Sequence, residues 1–166
     1  MAIDFGGFGK EYATDQLARI ADGAGLQNYL IDLGRDIRVK GMPTDQPCWH
    51  IAIENPNVQG EKILGIGMTG GGIAASGDYR NFFEHNGTRY GHIIDPKTGY
   101  PVSNRMRAVH VMANTCLEAG LHSTSAFILG VPEGKDLLEQ VYGLEGILIS
   151  ETDHFQTSNF QAYVVS

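Results

Sequence analysis

Cysteine is scarce. Cys48 and Cys116 are the only two in the chain, too few for a disulfide framework, and they read either as free thiols of a reducing compartment or as one bridge. There is no C-x-x-C, no His-x-x-x-His and no Cys/His cluster at zinc spacing. No run of about 18 apolar residues occurs, so no membrane-spanning helix is predicted. The opening Met1-Ala2-Ile3-Asp4-Phe5-Gly6-Gly7 has neither the basic nor the apolar region of a signal peptide. Positive charge is also short: 12 Lys+Arg against 19 Asp+Glu give a net charge of −7, which argues against binding nucleic acid or an anionic membrane surface. No G-x-S-x-G nucleophile elbow is present, and Ser76-Gly77-Asp78 has the wrong flanks for one. With no internal repeat and no Ser/Pro linker, residues 1–166 read as a single domain.

Glycine is what the chain has in excess, 22 of 166 residues against an average of ~7%. Residues 9–23 predict a helix, with Ala13, Leu17, Ile20, Ala21 and Ala24 on one face. Strands are predicted at 28–33, 35–39, 49–54, 62–68 and 73–76, the last two separated by Gly70-Gly71-Gly72. Asn86-Gly87 marks a type I′ hairpin turn within 80–94, because both central residues need positive φ. Asp95 to Pro101 predicts a rigid loop and 107–113 a strand. Thr115-Cys116-Leu117-Glu118 fits a capping box for a helix over 116–129, ended by Gly130. Pro132 opens a second helix to Tyr142. Strands at 146–150 and 160–165 close the chain. Antiparallel strand runs with three helices between them predict an α+β layered domain.

Four constellations could carry chemistry. Gly65-Ile66-Gly67-Met68-Thr69-Gly70 matches G-x-G-x-x-G, but more glycine follows where a dinucleotide fold needs a helix, so it reads as an inter-strand turn or an anion nest. Asp4-Phe5-Gly6-Gly7-Phe8-Gly9-Lys10 leads into a helix. It is either a glycine-rich turn or a place where backbone approaches a phosphate, with Lys10 adding charge. His92, with Asp95-Pro96 and Thr98-Gly99 close behind, is either a packed or surface histidine or a general base. On the second helix Glu118 and His122 share a face and could pair in solvent. The Ser123 and Thr124 hydroxyls need a partner, either a backbone carbonyl one turn back or a ligand.

Taken in order, these segments resemble the FAD:protein FMN transferase family, also called the ApbE or thiamine-biosynthesis lipoprotein family. Asp4 to Asp15 (DFGGFGKEYATD) is similar to the family's D-L-G-G-I-A-K-G-Y-A-V-D, and Leu33 to Arg38 to its I-G-G-D-I-R. Ala75 to Phe83 resembles T-S-G-D-Y-R-R-F-F, Arg89 to Pro101 resembles R-Y-H-H-I-L-D-P-R-T-G-x-P, and Leu121 to Phe127 the end of A-D-A-L-S-T-A-L-F. The resemblance implies transfer of FMN from FAD to a Ser or Thr hydroxyl of a flavoprotein, with AMP released and magnesium offsetting the pyrophosphate charge. It implies His92 as the catalytic base, and Gly6, Gly7, Lys10, Ser76, Asp78 and Asp95 along the flavin nucleotide. It also implies the Gly9 carbonyl and Thr124 as metal ligands.

Two departures accompany it. The family's metal-binding aspartate falls on Gly120, and the candidate replacements Glu118 and His122 occupy other helical positions. The chain also begins at the family's central glycine motif. This predicts an ApbE-like domain lacking the N-terminal segment, completed by a complementary chain and prone to oligomerise through the apolar surface left open. The alternative is a non-catalytic flavin-binding or subunit-type module of the same fold. The family's usual site implies the periplasm, and the missing signal implies the cytoplasm.

Overall fold

The computed structural model describes residues 5–78 and 82–165. In chain order the elements are α1 (Gly9–Gly23), β1 (Tyr29–Asp32), β2 (Ile37–Lys40), β3 (Trp49–Glu54), β4 (Lys62–Met68), β5 (Gly70–Gly77), β6 (Phe82–His85), β7 (Thr88–Gly91) and β8 (Met106–Ala113), followed by α2 (Cys116–Leu129), α3 (Glu133–Gln140), β9 (Glu145–Ser150), β10 (His154–Gln156), a 3-10 helix (Phe160–Tyr163) and β11 (Val164–Val165). A six-stranded sheet in the order β1-β2-β5-β8-β9-β10 forms the centre, a separate three-stranded sheet β11-β4-β3 packs on one face of it, and β6-β7 pair as a hairpin. All pairings are antiparallel. The architecture is α+β, as the strand and helix pattern predicts.

The two faces of the central sheet follow from strand alternation. Ile147 and Ile149 of β9, with Ala108 and Met112 of β8, pack against Ile51, Ile53, Ile66 and Phe160 on the side of the small sheet. Leu148 between them, with Val109 and Val111, packs against Cys116, Ala119, Ala126 and Phe127 of α2 and Leu138 of α3. The register shift between Met106 and Ala108 lets Met106 join the α2 face despite its spacing. Among the described residues, no helix is long and apolar enough to cross a membrane.

Three expectations need correction. Gly70-Gly71-Gly72 is not a break before a strand; it is the start of β5, paired with Lys40, Val39 and Arg38 of β2. Gly72 has to be glycine because α2 starts against it: a Cβ there would lie 2.4 Å from the Cys116 amide nitrogen and 2.7 Å from the Thr115 carbonyl carbon. Neither is a side chain that can swing away. Gly72→Ala is therefore expected to cost about 3 kcal/mol, the upper range for overpacking a core, measurable by urea unfolding. Residues 160–165 are not one strand either. Phe160, fully buried, caps the core from a 3-10 turn, and only Val164-Val165 pair, with Ile66 and Gly65.

The third correction concerns α1. Its predicted boundaries are those observed, but its buried face is Glu11, Thr14 and Ala18, while Leu17 is 41% and Ile20 66% exposed. Thr14 and Asp15 turn inward because each finds a partner. Thr14 Oγ1 donates to the Lys10 carbonyl at 2.9 Å and also lies 3.3 Å from the Asp36 carbonyl. Asp15 accepts from the Cys116 and Leu117 amides at 3.0 and 2.9 Å and so caps α2. Thr115 supplies the other cap, accepting from the Glu118 amide at 3.1 Å.

Candidate functional site

A cleft of about 680 Å³ opens between the start of α1, the Gly34-Arg35 turn, the end of β5, the segment after β7 and the exposed side of α2. Each wall has a local cause. The Phe8 and Gly9 amides both donate to the Phe5 carbonyl, at 3.2 and 2.7 Å, so the glycine segment closes into a turn that delivers the first residues of α1. Asn86 and Gly87 sit at φ 50 and 74, the paired positive angles of a type I′ turn, and send β7 back towards the cleft. Beyond β7, the Val102 amide donates to the Ile93 carbonyl and the Asp95 amide to the Tyr100 carbonyl, both at 2.9 Å. These bonds hold His92 and Ile94 on a fixed rim.

Of the residues predicted from sequence, Gly6, Gly7, Lys10, Ser76, His92 and Thr124 line this one cleft. Gly9 is the first residue of α1 and is not among the lining residues. Asp78 and Asp95 also stand outside the lining. Asp78 lies between two arginines, with Arg107 Nη1 3.4 Å and Arg89 Nε 3.6 Å from its Oδ2, and its carbonyl accepts from Arg89 Nη2 at 2.7 Å. Asp95 Oδ1 accepts from the Lys97 amide at 2.8 Å and shapes its own loop. Asp4, Tyr79, Arg80 and Asn81 of the quoted motifs lie outside the described residues.

The glycines of the G-x-G-x-x-G match are not at the cleft. Gly65 and Gly67 are ladder residues of β4 opposite Ala52 and His50. A Cβ on Gly67 would meet Cys48 Sγ at 2.6 Å and Val165 Cγ1 at 2.8 Å. Their freedom serves packing of the strand, so neither the inter-strand turn nor the anion nest describes them.

Lys10 Nζ reaches Asp36 Oδ2 at 2.5 Å. Burial works against the Lys10 ammonium, but the hydrogen bond and charge of Asp36, with Glu11 adding, raise its pKa above the ordinary value. Asp36 is also raised, because burial of its carboxylate outweighs the help from Lys10. Lys10 thus remains a cation at neutral pH, anchored at the cleft wall.

The hydroxyls form a directed chain. Ser123 Oγ donates to the Gly120 carbonyl at 3.0 Å, so its single proton is used. Ser76 Oγ, 2.9 Å from Ser123 Oγ, must then be the donor of that pair. It follows that Thr124 Oγ1, 2.8 Å from Ser76 Oγ, donates to Ser76. Thr124 is left with lone pairs and no proton of its own to offer, which suits a cation or a donor and not an anion.

Of the two candidate replacements for a carboxylate on α2, His122 is engaged by the helix backbone. His122 Nδ1 donates to the Glu118 carbonyl at 2.9 Å, so the pair is not a side-chain ion pair. Sequence reasoning missed Glu11, which lines the cleft while only 7% exposed, with Oε2 lacking any hydrogen-bond partner. An unsatisfied buried oxygen of this kind costs roughly 1–3 kcal/mol, more when charged. The signal was available: Glu11 follows Lys10 where the motif Asp4 to Asp15 resembles has glycine. Arg35 was also missed. It sits at φ 80 in the turn after β1, lines the cleft, and pairs with Glu54 at 2.5 Å.

The fold and cleft define a layered α+β protein with a glycine turn, a lysine and a helix-borne hydroxyl facing one cavity. The sequence profile of the ApbE family matches residues 1–148, and the chain belongs to that family. It is 38% identical over 164 residues to the FAD:protein FMN transferase of Haemophilus influenzae, covering 97% of this chain and 47% of that protein. It is 35% identical over 167 residues to the FAD:protein FMN transferase of Vibrio cholerae, covering 98% of this chain and 50% of that one. In structure it resembles the ApbE protein of Thermotoga maritima with a TM-score of 0.89 at 27% identity, covering 99% of this chain and 54% of that one. It also resembles the flavin transferase ApbE of Vibrio cholerae, with a TM-score of 0.85 at 32% identity, covering 97% and 52%. The chain spans about half the length of the curated relatives it matches.

Proposed function

We propose that this chain carries the nucleotide-phosphate half of an FAD:protein FMN transferase site, and that with a complementary segment it moves FMN from FAD to a Ser or Thr hydroxyl of a flavoprotein. The observation that supports the reading is the convergence of Gly6, Gly7, Lys10, Ser76, His92 and Thr124, from four separated motifs, on one cleft.

In this reading His92, on the fixed rim, takes the proton of the acceptor hydroxyl. The acceptor oxygen bonds to the FMN phosphorus of FAD, the bond from that phosphorus to the bridging oxygen breaks, and AMP leaves with that oxygen. The Gly6-Gly7 backbone lets the phosphates approach closely, and the Lys10 charge faces the developing negative charge. A bound magnesium ion would offset the pyrophosphate charge, with Thr124 Oγ1 as one protein ligand. The exposed Leu17 and Ile20 on α1 support a complementary chain or second copy covering that helix.

One observation favours the other reading, a flavin-binding module without transfer: Gly120 removes a carboxylate from α2. The test is incubation of the pure chain with FAD, magnesium and an acceptor peptide, alone and with the N-terminal half of a full-length relative. Covalent FMN on the peptide together with free AMP is the expected result. Saturable FAD binding with no adduct in either mixture would replace the transferase reading with the module.

A further inference from the structure

Glu11 lines the cleft as a buried carboxylate, and its Oε2 has no hydrogen-bond partner. Lys10, its neighbour, does not answer it, because the Lys10 ammonium is engaged by Asp36 Oδ2. Such a carboxylate lacks a positive partner.

Its position is set by Gly120. A Cβ at residue 120 would lie 2.6 Å from Glu11 Cγ and 2.8 Å from Glu11 Oε1. The Glu11 side chain therefore occupies the space that a side chain on α2 would take, and it would have to shift to admit one. Thr124 stands one turn beyond Gly120 on the same helix and lines the same cleft, its oxygen presenting lone pairs.

We propose that Glu11, reaching from α1 into the gap at Gly120, is the carboxylate ligand of a divalent-cation site shared with Thr124 and completed by the phosphate oxygens of the bound nucleotide. The inference rests on the nucleotide reading above. Magnesium suits this donor set: it is a hard ion that keeps several waters and takes one or two carboxylates plus substrate phosphates. A group of three acidic, His or Cys side chains is not required, and none is found among the described residues.

The test uses Mn2+ as the probe, read by electron paramagnetic resonance and by thermal melting of the pure chain, with and without FAD. The melting midpoint of the unmutated chain is expected to rise on the order of 5 °C in Mn2+ and FAD. Glu11→Gln should bind Mn2+ at least about tenfold more weakly, with a metal-free midpoint equal to or above that of the unmutated chain. Gly120→Asp alone should lower the midpoint, because its side chain collides with Glu11. The double variant Glu11→Gly with Gly120→Asp should recover both midpoint and Mn2+ binding. Unchanged Mn2+ affinity in Glu11→Gln, or no Mn2+ binding by the unmutated chain in any mixture, overturns the proposal. If Mn2+ binds through Glu11 while FAD does not bind at all, the cation site stands and the nucleotide reading fails.

Discussion

His92→Ala is expected to lower FMN transfer by about 100- to 10,000-fold, the usual contribution of a positioned general base, with FAD binding changed by less than about threefold. The asymmetry follows from where His92 sits. It lies on the cleft rim beyond β7, held by the backbone pairing of Ile93 with Val102 and of Asp95 with Tyr100. The glycine turn and Lys10 meet the cleft from α1 on another wall. Single-turnover transfer at saturating FAD, beside a fluorescence titration of FAD, separates the two effects. A fall in FAD affinity as large as the fall in rate would make His92 a binding residue and remove its role as base.

The second large effect concerns stability in acid. His110 lies in β8 on the side of the small sheet, buried, with Nε2 lacking a partner. Burial, aided by the Arg35 charge and opposed by Glu54, lowers its pKa to about 4 from an ordinary 6.5. The unfolded chain therefore takes up a proton at a pH where the folded chain does not. Stability is fully present above about pH 6.5 and falls as pH drops towards 4. At about 1.4 kcal/mol per pH unit the loss approaches 3 kcal/mol. Glu11 and Asp36, whose carboxyls are raised, act in the opposite sense, losing stability as pH rises through their folded values. His110→Met isolates the histidine. Urea unfolding at pH 7 and pH 4.5 should show a much smaller difference in the variant, and an equal difference would assign the acid loss elsewhere.

Much of the fold is written in local signals. Asn86-Gly87 specifies its turn because two successive positive φ angles leave few choices, and Thr115 announces α2 because an unpaired helix amide needs an acceptor. The helix bounds of α1 could be read for the same reason, but its buried face could not. Apolar spacing points to Leu17 and Ile20, while Thr14 and Asp15 turn inward to partners about 20 and 100 residues away in sequence. Periodicity has no access to such partners. The glycines divide similarly. Gly6 and Gly7 reach the cleft expected of them, whereas Gly67 and Gly72 are small because another strand or a helix start touches them.

The candidate site shows the same division. Gly6, Gly7, Lys10, Ser76, His92 and Thr124 could be listed from motifs, yet nothing in the spacing shows that Asp78 is engaged by two arginines or that Thr124 donates its proton to Ser76. Glu11 and Gly120 are more than 100 residues apart, and their contact becomes visible only when α1 lies against α2.

The most direct measurement is a titration of FAD into the pure chain in magnesium, followed by flavin fluorescence, with pyrophosphate as competitor and Lys10→Gln as the comparison. If the cleft is a nucleotide-phosphate site, FAD binds saturably at one site per chain, pyrophosphate displaces it, and Lys10→Gln weakens it by about tenfold, the worth of one charge-assisted contact. Binding that ignores both pyrophosphate and Lys10, or no saturable binding at all, would contradict the account.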